Sequence, residues 1–102
     1  MRTIIAGSRS ITEYKHVLKA VAESGINITQ VVSGTAKGVD LLGEKFAQEH
    51  GISVVRFPAD WNKYGNRAGY LRNMEMAGNA DALIAVYDGT SRGTQHMIDI
   101  AP

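Results

Sequence analysis

Cysteine is absent from this chain, which excludes disulfides, thiol catalysis and zinc-thiolate ligation. Long apolar runs are absent as well: the longest, Ala82 to Tyr87, is too short to cross a membrane. Met1-Arg2-Thr3 leads straight into a strand-like segment instead of a secretory signal, so a soluble, cytoplasmic chain with no membrane partner is expected. Neither sign of charge is in excess. With 11 basic and 10 acidic residues the formal net charge is +1, which excludes coating of long nucleic acid by bulk electrostatics and makes any basic site local. The 3 histidines, His16, His50 and His96, do not form a metal cluster by spacing. Neither a metal nor a cofactor is expected.

What is present is an ordinary globular composition, 44% hydrophobic and 21% charged over 102 residues, enough for one domain with a buried core. Thr3 to Ala6 is a short apolar run ending at Gly7, as a strand buried on both faces requires. Tyr14, Val17, Leu18, Val21 and Ala22 then recur at helical spacing. That pattern predicts a helix from Thr12 to Ser24, with Ser10 or Thr12 as N-cap and Gly25 as the stop. A strand over Ile28 to Val32 and a helix from Val39 to near Gly51 follow, then a strand from Ile52 to Phe57 closed by Pro58. Ala59 to Gly69 has no clean period and reads as a long ordered loop or lid. A short helix from Tyr70 to Gly78, a strand from Asp81 to Tyr87 and a helix from Thr94 to Ala101 complete the chain.

Strands alternating with helices at this spacing specify a parallel sheet covered on both faces. The expected architecture is an α/β, Rossmann-like three-layer fold of four or more strands in the order 3-2-1-4, one domain over residues 1–102. In such a sheet every strand-to-helix turn lies at the same carboxyl edge, and the switch point falls between the first and fourth strands. Three glycine-bearing turns would then line one crevice: Gly7-Ser8-Arg9, Ser33-Gly34-Thr35, and Gly89 to Thr94. Glycine admits close backbone approach, and helix N-termini present N–H groups and a positive dipole end. A phosphate-bearing small molecule is the ligand to consider first.

Each residue has a ligand role and a plainer one. Arg9 can hold a phosphate through its planar fork or pair with Asp88 across the rim. Ser33, Gly34 and Thr35 can donate to a phosphate or serve only as a turn. Lys37 can add a point charge or be a solvated loop lysine, and Asp40 can bind a ribose hydroxyl, tether the loop, or simply stabilise the first turn of its helix. Trp61, with Tyr64, can stack on a base or anchor the loop from beneath. Arg72 and Asn73 can meet a bound anion, or Arg72 can pair with Asp60 or Glu75. Gly89, Ser91, Arg92, Gly93 and Thr94 offer amides, hydroxyls and a guanidinium to one anion, against the alternative of a mobile loop. No catalytic residue stands out. Glu75 is the best remaining carboxylate for acid or base work, although a lone helix glutamate is usually solvated or paired.

The ordered motifs Gly7-Ser8-Arg9, Val32 to Asp40, Phe57 to Trp61, Ala68 to Asn73 and Arg92-Gly93-Thr94 resemble the YspA-type, cpYpsA-related group of the SLOG superfamily, named for DNA-processing protein A and the LOG phosphoribohydrolases. The resemblance runs from residue 3 to about residue 98. It implies a Rossmann-like fold that binds nucleotides or nucleotide-derived ligands, serving N-glycosidic chemistry in some relatives and signalling or single-stranded DNA in others. Two departures stand out. Met97 occupies the place where hydrolase relatives carry a glutamate three residues beyond the Gly-Thr pair. The last helix is also short, ending at Pro102, which leads to an expectation of an open sheet edge covered in a homo-oligomer.

Three readings of function follow. The first is a binding module for a nucleotide or ADP-ribose-like ligand, for sensing, delivery or sequestration. The second is an N-glycosidic nucleotide hydrolase or transferase in which Glu75 or Asp88 replaces the missing carboxylate. The third is single-stranded DNA binding along Arg9, Lys37, Lys63, Arg67 and Arg92 with Trp61 stacking, which the small net charge and 7% aromatic content oppose.

Overall fold

The computed structural model describes residues 1–101. Four parallel strands, β1 (Arg2–Gly7), β2 (Gln30–Ser33), β3 (Ser53–Arg56) and β4 (Ala82–Val86), lie in the order β3-β2-β1-β4. The helices are α1 (Tyr14–Ser24), α2 (Val39–Glu49), α3 (Trp61–Tyr64), α4 (Ala68–Gly78) and α5 (Arg92–Ile100). None of them is long and apolar enough to cross a membrane. The architecture is the α/β Rossmann-like sandwich and strand order that the alternating pattern predicts.

Side-chain alternation along β1 builds both cores. Ile5 points to one face, where Val17 of α1 and Val39, Phe46 and Ala47 of α2 join Val31 and Ile84. Ile4 and Ala6 point to the other, against Met76 and Ala80 from α4 and its end and Met97 of α5, with Val32 beside them. A central strand flanked on both sides needs an unbroken apolar run, and Thr3 to Ala6 is buried throughout. The chain crosses to the second face only after β3, so the turns after β1 and β4 diverge and leave a crevice at the carboxyl edge.

Several boundaries differ from expectation. α1 starts at Tyr14 behind Glu13, without a side-chain cap; neither Ser10 nor Thr12 serves, and Ser10 Oγ donates instead to Asp88 Oδ2 at 2.8 Å. The stretch read as a lid is mostly helical. Asp60 caps α3 by accepting the Lys63 N–H at 3.1 Å, a 3-10 turn spans Gly65–Arg67, and α4 begins at Ala68. A four-residue helix is too short to show a period. α5 begins at Arg92, two residues early, because the Ser91 hydroxyl accepts the Thr94 N–H at 3.3 Å and acts as N-cap. β2 extends through Ser33, while β3 and β4 are each shorter at both ends than expected. The expectation attached to Pro102 lies outside the described residues.

The junction after β1 depends on a missing side chain. A Cβ on Gly7 would collide with the Val86 carbonyl oxygen and lie 2.8 Å from Val39 Cγ2. That closeness lets the Ser8 N–H reach Val86 O at 3.0 Å, while Ser8 Oγ accepts the Asp88 N–H at 2.9 Å. We therefore expect Gly7→Ala to cost about 1–3 kcal/mol through overpacking against backbone that cannot yield. Gly78→Ala, where an added Cβ meets no atom within 4 Å, should be neutral or slightly stabilising. Urea denaturation of the two variants checks both signs.

Candidate functional site

The carboxyl ends of β1, β2 and β4 open on a cleft of about 290 Å³. Its apolar bottom comes from the buried Ala6, Met76 and Met97 together with Gly7. Of the residues singled out in the sequence, Gly7, Arg9, Asp40, Trp61, Arg72, Asn73, Ser91, Gly93 and Thr94 line it together. They come from five separate stretches of chain, which the parallel topology brings to one edge.

Arg72 ties those stretches to one another. Its Nη1 donates to the Gly34 carbonyl at 2.5 Å and its Nε to Asn73 Oδ1 at 2.9 Å. The Asn73 amide nitrogen in turn donates to Gly93 O at 3.0 Å and lies 3.2 Å from His96 Nδ1. With the Asn73 oxygen taken by Arg72, its nitrogen is left to face Gly93 and His96. Tyr70 packs against the same imidazole, edge to face at 4.8 Å. A guanidinium has five N–H groups, so those Arg72 does not use here remain for a ligand. Burial lowers its pKa, the Asp40 carboxylate opposes that, and neighbouring Arg9 lowers it further.

Asp40, at the first turn of α2, is 6% exposed. Burial pushes its carboxyl up to about 6, against the opposing pull of the Ala36 N–H, Arg72 and Arg9, while Glu44 adds to the rise. A raised carboxyl pKa means the folded protein holds the proton more tightly than the unfolded chain. The associated stability is complete below the ordinary value of 3.8 and is lost as pH rises through about 6. Such a shift corresponds to roughly 3 kcal/mol. Gly34 keeps this arrangement compact: an added Cβ would lie 2.7 Å from Asp40 Oδ2 and 2.8 Å from Arg72 Nη1.

The remaining sequence candidates sit elsewhere. Ser8 and Ser33 are fully buried; Ser33 Oγ donates to Glu44 Oε2 at 2.6 Å and accepts the Thr35 N–H at 3.1 Å. Thr35 turns the chain at φ 64°, and Lys37 is exposed. Gly89 lies in a loop that Asp88 organises by accepting from Thr90 N at 2.9 Å, Thr90 Oγ1 at 3.0 Å and Ser91 N at 3.3 Å. The Thr90 N–H, with Ser10 behind it, holds the Asp88 carboxyl well below the usual carboxylate range, so it is committed to the loop and makes no ion pair with Arg9. Arg92 is exposed on the first turn of α5, outside the cleft lining, and Glu75 is exposed on α4, also outside it. Arg72 pairs with neither Asp60 nor Glu75; a backbone carbonyl and a neighbouring amide take their place.

Four lining residues beyond that set matter for shape. Ala36, Asn66 and Tyr70 complete the walls, and Gly69 lies against Trp61. A Cβ on Gly69 would sit 3.3 Å from the Trp61 ring, so the indole lies over the helix start and stays 50% exposed. The one sequence signal for this pair was their place in the same run as Arg72 and Asn73. Among the described residues no cluster of His, Asp or Glu could hold a metal ion.

Residues 1–64 match the YspA, cpYpsA-related SLOG family. The chain belongs to that family. It is also 35% identical over 107 aligned residues to the Gene 61 protein of Mycobacterium phage D29, an alignment covering 95% of this chain and 85% of that protein. No solved structure matches. SLOG membership carries an association with nucleotide-related binding or processing. The matched segment of this SLOG chain contains Arg9 and Asp40, whereas Arg72, Asn73 and the α5 end of the cleft lie beyond it.

The electrostatics of the wall can be measured directly. Carboxyl-detected NMR titration should place the Asp40 midpoint near 6. In Arg72→Met, which keeps most of the side-chain bulk and so most of the burial of Asp40, the midpoint should rise further, because a favourable countercharge is gone. A midpoint near the ordinary 3.8, or one that falls in the variant, would refute the described arrangement.

Proposed function

We propose that the cleft binds a nucleotide or nucleotide-derived metabolite of the cytoplasm, as a sensing or sequestering module. The observation that carries this reading is the convergence of two guanidiniums, Arg9 and Arg72, on one cleft with a half-exposed indole at its edge. The guanidiniums supply charge-assisted donors to a phosphate, the amino end of α5 supplies a favourable dipole, and Trp61 and Tyr70 offer ring faces to a base. The confined cleft suits a small molecule better than an extended strand, which needs a longer basic track.

One feature favours the hydrolase or transferase reading: Asp40 is a cleft carboxyl that burial pushes up to about 6, a property suited to acid or base work. It is a better candidate than Glu75 or Asp88, which lie outside the cleft lining. Against that reading, Met97 stands where hydrolase relatives carry glutamate, and a thioether cannot exchange protons. Pairing of two copies along an open sheet edge, β3 or β4, belongs to the same proposal. It predicts a dimer or larger species in sedimentation at micromolar concentration, and monomer alone would contradict it.

Phosphate-bearing nucleotides should raise the melting temperature, and the matching nucleosides should do so much less. One charge-assisted contact is worth about 1.5–3 kcal/mol, so Arg9→Ala and Arg72→Ala should each weaken binding roughly tenfold to a hundredfold. Arg92→Ala, outside the lining, and Lys19→Ala, on α1, should change affinity little. A thermal-shift and calorimetry panel over mono- and dinucleotides, ADP-ribose and short oligonucleotides tests this. Affinity that ignores both cleft arginines, or tracks oligonucleotide length, would contradict it. Base release over many turnovers that is lost in Asp40→Asn would decide for the enzymatic reading.

A further inference from the structure

An apolar strand with a neighbour on one side only is an open template for another strand. β4 is such a strand. No charged residue occurs from Ala82 to Tyr87, and Ala82 to Val86 read as the interior of a parallel sheet does. In β1, which has a neighbour on each side, the matching run from Thr3 to Ala6 is buried throughout. In β4, at the end of the sheet, Ile84 is buried while Ala82, Leu83, Ala85 and Val86 stay half-exposed. Ile98 extends the open flank: it stands on the side of α5 turned away from His96 and α4, and it is 39% exposed. β3, at the other end, is guarded. It exposes Ser53 and Arg56, and Arg56 Nε donates to Glu44 Oε1 at 2.8 Å, so a charged pair flanks that edge.

Backbone direction fixes which atoms of β4 face outward. Ser8 N–H donates to Val86 O, and Ile4, Ile5, Ala6 and Gly7 run parallel beside Leu83, Ile84, Ala85 and Val86. Successive residues of a strand turn their N–H and C=O to opposite sides. Ala82, Ile84 and Val86 therefore turn theirs to β1, and Leu83 and Ala85 turn theirs outward. In an antiparallel pair, directly opposed residues of this outward kind exchange both hydrogen bonds. A second copy of β4 meets that condition with Leu83 on Leu83, with Ala85 on Ala85, or with Leu83 on Ala85. The first sets leucine on leucine and Ala85 on the partner's Asp81, and the second crowds Leu83 against the partner's Tyr87. The third matches large with small: Leu83 faces the partner's Ala85, and Val86 faces the partner's Ala82. The two-fold axis then passes between the two Ile84 side chains.

We infer that the β4 edge is the interface between two copies of this chain, paired antiparallel about a two-fold axis at Ile84 so that the two sheets become one. The inference rests on the pairing of copies proposed above and names its edge and register. The occupant is a second copy because the strand is its own complement in size and carries no charge that would repel itself. The carboxylates at its ends are already engaged, Asp81 by Arg2 and Asp88 by Thr90. The axis reverses strand direction, so the two clefts open at opposite ends of the joined sheet and each is built by one copy alone.

The absence of cysteine lets substitutions read the register. Opposed Cα atoms of a non-hydrogen-bonded pair lie about 4.5 Å apart, within disulfide reach. Wild-type protein should sediment as a dimer at micromolar concentration. Under mild oxidation Ile84→Cys should convert most of its chains to covalent dimer. Leu83→Cys and Ala85→Cys should each stay uncross-linked alone, yet join each other when mixed and left to exchange. The mixture uses two half-exposed positions, so it decides the register if Ile84→Cys, at a buried one, does not fold. Self-cross-linking of Leu83→Cys or of Ala85→Cys overturns the inference. So does a dimeric protein in which the folded Ile84→Cys or the mixture stays uncross-linked, and either result leaves the pairing of copies standing. Monomer alone in the wild type overturns that pairing and this inference with it.

Discussion

The Arg72 guanidinium holds the loop after β2, the start of α4 and the start of α5 in register around the cleft. Through Gly34 O it grips the β2 loop, and through Asn73 it reaches Gly93 and His96. A half-buried guanidinium is costly unless a countercharge is near, and Asp40 supplies the countercharge. The same burial that raises Asp40 lowers Arg72.

The sheet makes that arrangement possible without taking part in it. β1 feeds both hydrophobic cores, and its end is sealed to β4 by Gly7 and Ser8. The first glycine-bearing turn is therefore mainly a joint, and its one outward contribution to the cleft is Arg9. A similar division holds after β2, where Ser33 is spent on Glu44 and Thr35 while Asp40 lines the opening. After β4, Asp88 organises the loop from outside, leaving Ser91, Gly93 and Thr94 at the cleft. Each turn pairs a structural residue with a cleft residue a few positions on.

This division explains what was legible in the sequence. Strand order and layers follow from alternation and from short apolar runs such as Thr3 to Ala6, and these emerge intact. Proximity of the turns follows from topology, so the neighbourhood of the cleft was legible too. Which atoms face it was not. Arg72 was legible as a buried cation in need of a partner, but the partner is a backbone carbonyl 38 positions away, and carbonyls carry no residue-type signal. Arg92 looked like a turn residue only because the cap at Ser91, which starts α5 early, depends on a loop conformation set by Asp88. The segment from Ala59 to Gly69 hid two short helical turns because neither is long enough to display a period.

The proposed ligand site is the cleft at the carboxyl edge, and a second groove provides the contrast. That groove runs between α2 and β3, lined by Leu41, Glu44, Lys45, Gln48, Ile52, Val54 and Arg56. Amide and guanidinium chemical-shift mapping during titration with adenosine 5'-monophosphate separates the two most directly. Binding in the cleft should shift Arg9, Ala36, Gly69, Gly93 and Thr94 and the Arg72 guanidinium. Shifts confined to Leu41, Lys45 and Arg56, with the Arg72 guanidinium unmoved, would contradict it.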